Sequence, residues 1–428
     1  MQVCPDLGHL VSLREVLPEA DIQGADDVAI SGCACDSRRV HDGELFAAFA
    51  ERRDGRESIA TAVARGCAAV LMEDGAGTTW REEASAVVPV CVVPNVRESY
   101  ARLCQTLAGR PSRRLKTIGV AGSSGRTATS CLIAGVLHAA DYRAGILGEL
   151  GYLDGRNIER GPWTTPPPDR LAPLLARMVR NECSHAVMEL SDSALEQSRV
   201  AGVEFDAVCA ARMPRRQRPG HKQLFGQLGP EGFAVLNADD VGSAEYVRRL
   251  ACPVLTVGIR SPAEITATPL EQCMSEQTFL LTAGSQSVPV RTPMIGRQHI
   301  ANCLVAAAVG LGLGIELTTV VRGLEYAGQV PGQLERIECG QPFGVFVDRA
   351  RTPRGLARVL KTLQDVTVGR VISVSEGTGD RKAAIHRALG AARPGDCVLI
   401  AGSQTRRQGP DDREIARNWL YRGRWITN

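Results

Sequence analysis

The most constraining feature of this sequence is a strand, a glycine-rich loop and a helix that follow one another directly. Residues 117–121 form a short, largely apolar run, residues 122–125 read Gly-Ser-Ser-Gly, and residues 126–140 have the pattern of a helix. Further strand signals, separated by helical stretches, occur at 185–190, 207–210, 234–237 and 254–257. Strands that alternate with helices predict an α/β fold with a doubly wound, mostly parallel sheet.

The length of the chain predicts more than one domain, since 428 residues exceed what one hydrophobic core usually holds. We expect a small N-terminal α/β domain at 1–110, a central domain at 111–332 and a shortened Rossmann-like domain at 333–428. The expected strands outside the central domain lie at 28–31, 44–50, 68–72, 87–93, 345–348, 371–374 and 397–401. The expected helices lie at 59–65, 98–107, 301–313 and 354–363, and residues 109–114 are expected to form a linker without regular structure.

Charge and cysteine usage exclude several classes of protein. A net charge of +3 gives no reason to expect a nucleic-acid partner. No apolar stretch reaches the roughly 18 residues of a membrane span, and the first ten residues do not resemble a signal peptide, so we expect a cytoplasmic protein without membrane insertion. The 14 cysteines are scattered, which favours reduced thiols over a disulfide framework.

The glycine-rich loop is a candidate phosphate site because backbone N–H groups and a helix N-terminus both favour anions. A P-loop carries lysine before its Ser or Thr, whereas this chain carries Arg126 before Thr127. Arginine keeps the positive charge, but its planar fork is larger than a compact ammonium. A purely structural glycine turn is the alternative interpretation. The candidate nucleotide-binding residues here are Gly122, Ser123, Ser124, Gly125, Arg126 and Thr127.

Several further motifs occur in one order along nearly the whole chain. They are Cys-Asp-Ser-Arg-Arg-Val at 35–40, Asp-Gly-Glu-Leu-Phe at 42–46, Asp54 with Gly55, Trp-Thr-Thr-Pro at 163–166, Met-Glu-Leu-Ser at 188–191 with Arg199, Asn-Ala-Asp-Asp at 237–240, Ile-Gly-Arg-Gln-His-Ile-Ala-Asn at 295–302, Val-Pro-Gly at 330–332, Val347 with Asp348, and Asp-Asp-Arg-Glu at 411–414. Together with the phosphate loop, this succession resembles the Mur ligases, and within them the UDP-N-acetylmuramyl-tripeptide synthetases.

The resemblance implies a three-domain, ATP-dependent amide ligase of peptidoglycan synthesis. In such enzymes ATP phosphorylates the carboxylate of a UDP-N-acetylmuramyl peptide, and the amine of an amino acid then displaces phosphate. ATP and Mg²⁺ are the implied cofactors. The UDP-muramyl peptide is the implied ligand, and another cell-wall enzyme is a conceivable partner.

The resemblance also assigns roles to individual residues. The substrate-contact positions are Ser37, Arg38, Thr164, Thr165, Ser191 and Arg199. Thr127 and Glu189 take the metal positions, Asn302 the adenine side and Asp348 the ribose side. Arg126 takes the place of the loop lysine, and Lys222 lies one position from the carbamylated lysine of the family, with His221 in the aligned place.

Several departures from the family pattern fall on catalysis. The metal-binding histidine and its acidic neighbours are missing, and the region at 210–221 carries Arg212, Arg215, Arg216 and Arg218 instead. In the third domain, Gln333 replaces an arginine, and Arg349, Arg351 and Arg354 replace Tyr, His and Asp. The Asp-Asn-Pro-Arg segment has no counterpart between 371 and 397, and the Gly-Lys-Gly-His-Glu element reads Gly-Ser-Gln-Thr-Arg at 402–406.

These losses favour a degenerate ligase, a pseudoenzyme that still binds a UDP-muramyl precursor or a partner enzyme. An active ligase that adds an amino acid to UDP-N-acetylmuramoyl-L-alanyl-D-glutamate is the main alternative. A regulatory or scaffolding role without a muramyl ligand is the third. The basic residues of the third domain either dock an acidic partner or are simply solvated.

Overall fold

The computed structural model of the chain describes residues 10–49, 55–75, 84–213, 219–375, 380–402 and 411–423. The chain divides into two compact units. The first comprises residues 1–126, 142–234 and 245–254, and the second comprises residues 127–141, 235–244 and 255–428. The three-domain boundaries near residues 110 and 332 therefore stay a prediction.

The first unit begins with a five-stranded sheet. Its strands lie in the order Asp21–Gln23, Val90–Val93, Ala69–Glu73, Glu44–Ala47 and Gly32–Ala34. All neighbours are parallel except the first pair. Of the predicted strand at 28–31, only Ala29–Ile30 forms a strand. It does not join this sheet but pairs with Val11–Ser12 in a separate two-stranded sheet. Alternate residues of the buried strands face two apolar clusters on opposite sides of the five-stranded sheet.

A second sheet of the first unit carries the glycine-rich loop at 122–125. Six of its strands lie in the order Ile158–Glu159, Gly151–Leu153, Ala144–Gly148, His185–Glu189, Lys116–Val120 and Phe205–Ala210. The last four are parallel, with Ile118 opposite both Val187 and Ala207. The predicted α/β fold with mostly parallel strands is confirmed. Parallel pairing brings the carboxyl ends of these four strands to one edge of the sheet.

The strand Leu228–Asn237 passes from the first unit into the second. The second unit then contains an antiparallel meander that the sequence did not predict. Its strands are Ile265–Gln272, Gln277–Ala283 and Gln286–Thr292, preceded by Val254–Gly258. Two of the meander strands contain Pro269 and Pro289 and many exposed polar residues, so their apolar periodicity is weak.

The second unit ends in a four-stranded sheet. Its strands lie in the order Glu335–Arg336, Gly344–Asp348, Cys397–Ala401 and Val371–Val374, and only the first pair is antiparallel. Val345, Val347, Val398 and Ile400 are fully buried in the core of this sheet. The three longer strands match the prediction to within one residue, since each is a short apolar run bounded by polar residues.

The helices occupy the stretches between these strands. The α-helices are Leu13–Val16, Gly55–Ala64, Val96–Leu107, Arg126–Ala139, Pro168–Arg180, Asp192–Glu196, Pro219–Phe225, Val241–Val247, Arg297–Gly312, Leu317–Tyr326, Pro353–Gln364, Arg381–Ala391 and Asp412–Arg422. Ser37–Arg39 and Pro111–Arg114 form 3-10 turns. The second turn corrects the expectation of an unstructured linker, because Pro111 and Ser112 are buried. In the described part of the chain, no helix combines the length and the apolar character needed to cross a membrane.

Two glycines let a pair of helices in the second unit approach closely. A Cβ on Gly135 would lie 2.7 Å from the carbonyl oxygen of Gly323, and a Cβ on Gly323 would lie 2.4 Å from the Cα of Val136. Both obstacles are backbone atoms, which cannot move aside as a flexible side chain does. The contact between these helices therefore depends on the two glycines.

We expect Gly323→Ala to destabilise the protein by roughly 1–3 kcal/mol, because the added methyl overpacks a backbone contact. The midpoint of thermal unfolding measures this effect. Gly390→Ala is the matched control, since its Cβ would meet only a ring carbon of Trp419 at 3.7 Å and a helix gains from alanine. Equal midpoints for the two variants would contradict the role given to Gly323.

Candidate functional site

The loop at 122–125, called the phosphate loop below, has the backbone that its sequence predicts. Gly122 and Gly125 have φ values of +108° and +87°, a region that favours glycine. A Cβ on Gly122 would lie 2.3 Å from the carbonyl oxygen of Arg212, so no other residue fits there. The helix Arg126–Ala139 starts directly after the loop. The two glycines thus let the backbone turn tightly between the strand and the helix, as a phosphate cradle or a structural glycine turn requires.

Arg126 bonds to the phosphate loop itself. One terminal nitrogen of its guanidinium donates a hydrogen bond to the carbonyl oxygen of Gly122. The N–H of Ser123 donates to the carbonyl oxygen of Arg212 at 2.9 Å. Within the described residues, the buried Nε of Arg126 and Oγ of Ser124 have no hydrogen-bond partner. The loop is thus held by two hydrogen bonds, one from the Arg126 guanidinium to Gly122 and one from the Ser123 N–H to Arg212.

Three predicted substrate residues meet next to the end of the strand His185–Glu189. The hydroxyl of Thr165 donates to the carbonyl oxygen of Glu189 at 2.7 Å and accepts from the N–H of Ser191 at 3.0 Å. The guanidinium of Arg199 donates to the carbonyl oxygen of Thr165 at 2.7 Å. We call Thr165, Ser191 and Arg199, which meet beside the Glu189 carbonyl, the Thr165 cluster. Thr164, the preceding substrate position, is half-buried beside it.

Arg199 is held in place by a second partner. Its Nε and one terminal nitrogen both donate to Oε1 of Gln197, at 3.0 and 2.9 Å. Burial, followed by the charge of Arg97, lowers the pKa of Arg199. A fixed, partly desolvated guanidinium suits recognition of a carboxylate or phosphate. Sequence patterns did not indicate Gln197, because a neutral amide two residues from the motif carries no signal of its own.

Glu189 is buried, and its carboxylate already serves the backbone. Its Oε1 accepts a hydrogen bond from the N–H of Glu149 at 3.1 Å. A Cβ on Gly148 would lie 2.2 Å from the same oxygen. Gly148 therefore leaves room for the carboxylate, and no sequence signal identified it as part of the site.

Throughout the described ranges, no group of three or more His, Cys, Asp or Glu side chains is placed to hold a metal ion. Magnesium at nucleotide sites is usually held by one or two protein carboxylates together with waters and substrate phosphates. Glu189 and Thr127 are the predicted metal residues that the sequence retains, and both are buried.

His221 and Lys222 lie on the helix Pro219–Phe225 and face different environments. His221 is 1% exposed, with its Nε2 3.4 Å from Oδ1 of Asp192. Lys222 is exposed. Neighbouring positions on a helix point about 100° apart. Lys222 therefore points away from the buried environment that His221 occupies. The arginines at 215, 216 and 218, Asp54 and the 403–407 stretch lie outside the described residues.

Ser37 and Arg38 lie on the 3-10 turn Ser37–Arg39, beside the N-terminal sheet of the first unit. Asp36 caps this turn by accepting from the N–H of Arg38, and its carboxylate pairs with the Arg38 side chain at 3.0 Å. That side chain is 82% exposed, whereas Ser37 is buried. The buried Ser37 and the Asp36 cap thus hold the turn in place, while the side chain of Arg38 extends into solvent.

The second unit holds the two remaining candidates. Asn302 is buried on the helix Arg297–Gly312, and its Oδ1 accepts from Nε2 of Gln298 at 3.2 Å. Asp348 ends a strand, and its carboxylate accepts from the N–H groups of Leu334 and Ala350, both at 2.8 Å. Burial raises the pKa of Asp348 despite these two bonds. Asn302 is thus bonded within its own helix, whereas Asp348 bonds to backbone groups outside its strand.

A family model for the Mur ligase middle domain matches residues 120–211 and 220–310. Two similar relatives are named UDP-N-acetylmuramoyl-L-alanyl-D-glutamate--2,6-diaminopimelate ligase. The one from Bacillus cereus is 31% identical over 389 residues, which cover 87% of this chain and 78% of the relative. The one from Solibacter usitatus is 32% identical, covering 95% of this chain and 84% of the relative.

Solved structures show the same fold. A structure of a UDP-N-acetylmuramoyl-L-alanyl-D-glutamate--2,6-diaminopimelate ligase matches with a TM-score of 0.75 at 22% identity, over 96% of this chain and 99% of that chain. The MurF ligase from Thermotoga maritima, in complex with ADP, matches with a TM-score of 0.56 at 15% identity, over 91% of this chain and 97% of that chain.

The buried imidazole of His299, within the motif at 295–302, generates a pH prediction. Burial lowers the pKa of His299 to about 4, and among the described residues its Nδ1 has no hydrogen-bond partner. The unfolded value is about 6.5, so the folded state disfavours protonation. The stability that this imidazole contributes is full above pH 6.5 and is lost as the pH falls from about 6.5 to 4.

We expect the unfolding midpoint of the native protein to fall between pH 7 and 4.5 by more than that of His299→Gln. The difference corresponds to roughly 3 kcal/mol at most. Thermal unfolding at a series of pH values measures it. His138→Gln, which changes an exposed histidine, is expected to keep the native slope. An unchanged slope in His299→Gln would contradict the assignment.

Proposed function

The chain belongs to the Mur ligase family, and from that premise we propose that it binds a UDP-N-acetylmuramoyl peptide without performing ATP-dependent ligation. It is then a tripeptide-synthetase homologue in which the ligand side is kept and the nucleotide side is impaired. The ligand side comprises the Thr165 cluster and the turn Ser37–Arg39. The nucleotide side comprises the phosphate loop and the metal positions.

The bond between Arg126 and the Gly122 carbonyl carries this proposal. Members of the family depend on ATP, whose phosphates need cations and N–H donors free to meet them. Here one N–H of the loop's own guanidinium is used on the Gly122 carbonyl, and the N–H of Ser123 is used on the Arg212 carbonyl. Nucleotide phosphates would have to displace both bonds. This cost falls on ATP binding and leaves the muramyl side unaffected.

The metal positions support the same conclusion. Transfer of a phosphoryl group requires its negative charge to be neutralised, and magnesium ordinarily does this. The carboxylate of Glu189 accepts from the N–H of Glu149. In the 212–218 segment, where the resemblance places a metal-binding histidine and acids, the sequence carries four arginines and none of those ligands, and a cationic side chain cannot hold a divalent metal.

The Thr165 cluster supports retained ligand binding. Its members are fixed by hydrogen bonds to one another and to backbone atoms. A site whose donors are already oriented loses little conformational entropy when a ligand arrives. Arg199 provides positive charge, and Arg38 offers a second, exposed guanidinium that a ligand would have to share with Asp36. Two guanidinium groups suit a ligand that carries a diphosphate and carboxylates.

The ligand side is tested by calorimetric titration with UDP-N-acetylmuramoyl-L-alanyl-D-glutamate in the absence of ATP and magnesium. We expect saturable binding, and we expect Arg38→Ala to weaken it by about 10- to 100-fold, because a charge-assisted hydrogen bond contributes roughly 1.5–3 kcal/mol. The unfolding midpoint should not change, since the Arg38 side chain is 82% exposed. Arg39→Ala, which removes an exposed arginine from the same turn, is the control. Failure of the native protein to bind would overturn the ligand-binding half of the proposal.

The nucleotide side is tested by phosphate release with ATP, magnesium, the same muramyl dipeptide and a panel of amino acids. We expect no release above background from the native protein or from Arg126→Lys, because the metal positions are deficient as well as the loop. Release that depends on both the dipeptide and one amino acid would establish the alternative, an active amino-acid ligase. The intact backbone of the phosphate loop is the observation that favours this alternative.

A further inference from the structure

Two cysteines that are distant in sequence lie side by side in the first unit. The Sγ atoms of Cys33 and Cys104 are 3.5 Å apart, although 71 positions separate them. Cys33 belongs to the edge strand Gly32–Ala34, and Cys104 to the helix Val96–Leu107. Cys33 is half-buried and Cys104 is buried, both against one apolar cluster. Neither residue belongs to the phosphate loop or to the Thr165 cluster.

We propose that Cys33 and Cys104 are a modification site, at which a reversible disulfide joins the edge strand to the helix. A disulfide has its sulfur atoms about 2.05 Å apart, so the two must approach by about 1.5 Å. The two sulfur atoms are already in van der Waals contact, so nothing has to be displaced from between them. The movement required is within the reach of a side-chain rotation at each cysteine.

The oxidant is a small-molecule disulfide of the glutathione class. The half-buried Cys33 thiolate attacks it, forming a mixed disulfide and releasing one small thiol. The Cys104 thiolate then attacks the Cys33 sulfur and releases the second small thiol. Two S–H bonds are broken and one S–S bond is formed in the protein, while the oxidant gains two electrons and two protons.

The second step is the slow one. Burial raises the pKa of the Cys104 thiol well above its ordinary value, so little of it is thiolate near neutral pH. The titratable groups facing it are Cys33 on the strand, Tyr100 on the same helix and Asp169 on the helix Pro168–Arg180. None of these is a cation that would favour the thiolate. Closure of the disulfide therefore accelerates as the pH rises.

The strand that carries Cys33 leads directly to the proposed ligand turn. Ala34 and Cys35 connect it to Asp36, which caps the turn Ser37–Arg39. A covalent bond between the strand and the helix fixes the base from which Arg38 projects. The redox state of the Cys33–Cys104 pair then determines how rigid the turn Ser37–Arg39 is. Only this consequence for the ligand rests on the proposed function, because formation of the bond does not depend on it.

The test is peptide mapping of the full-length protein after equilibration with oxidised glutathione at pH 7 and pH 8.5. We expect a linked peptide pair that contains Cys33 and Cys104, that forms faster at pH 8.5, and that disappears with dithiothreitol. The unfolding midpoint should rise on oxidation by about 3–5 °C, since the bond closes a loop of roughly 70 residues. Cys33→Ser and Cys104→Ser should abolish the rise, whereas Cys35→Ser, at a half-buried thiol beside the same strand, should keep it.

Mapping of the native protein decides the matter even if a cysteine variant fails to fold. Full oxidation without a Cys33–Cys104 peptide, or with another pair in its place, would overturn the proposal. Titration of the oxidised and reduced forms with the muramyl dipeptide is read separately. A linked pair in a protein that binds no dipeptide would leave the disulfide standing and reject the proposed function.

Discussion

The parallel pairing of three neighbouring strands determines most of what this protein can do. Lys116–Val120 lies between His185–Glu189 and Phe205–Ala210 in one register, so their carboxyl ends come together. The phosphate loop, Glu189 and the carbonyl of Arg212 lie at or just after the carboxyl ends of these three strands. Because the sheet fixes this convergence, the chain keeps the layout of a nucleotide site whether or not its side chains still suit a nucleotide.

Within that layout, the side chains divide into two groups by what they bond to. The Thr165 cluster is satisfied internally but keeps a charged group, Arg199, at its margin. In the phosphate loop, by contrast, one N–H of Arg126 is held by the carbonyl oxygen of Gly122. The same kind of interaction, a guanidinium on a backbone carbonyl, thus occurs in both places, and the function proposed above treats it as an obstacle only where nucleotide phosphates would need the same donor.

Much of the fold could be predicted from the sequence, because buried parallel strands are short apolar runs with clear boundaries. The strand Cys397–Ala401 and the helix Arg126–Ala139 are examples. The antiparallel meander escaped prediction because Pro269 and Pro289 and exposed polar side chains hide its periodicity. Thr165, Ser191 and Arg199, which the motifs singled out as substrate contacts, lie together in the structure. The motifs could not reveal that the Glu189 carboxylate packs against Gly148 or that the Arg212 carbonyl packs against Gly122. Such close contacts with the backbone leave no recognisable pattern in the sequence.

The hydrogen bond from the Glu149 N–H to the Glu189 carboxylate makes this side chain part of the fold itself. This glutamate supports the hairpin that joins Ala144–Gly148 to Gly151–Leu153, and Gly148 leaves it the space to do so. Replacing Glu189 would therefore remove a bond to the backbone as well as a carboxylate. A glutamate at this position is accounted for by the hairpin alone and is not by itself a sign of metal binding.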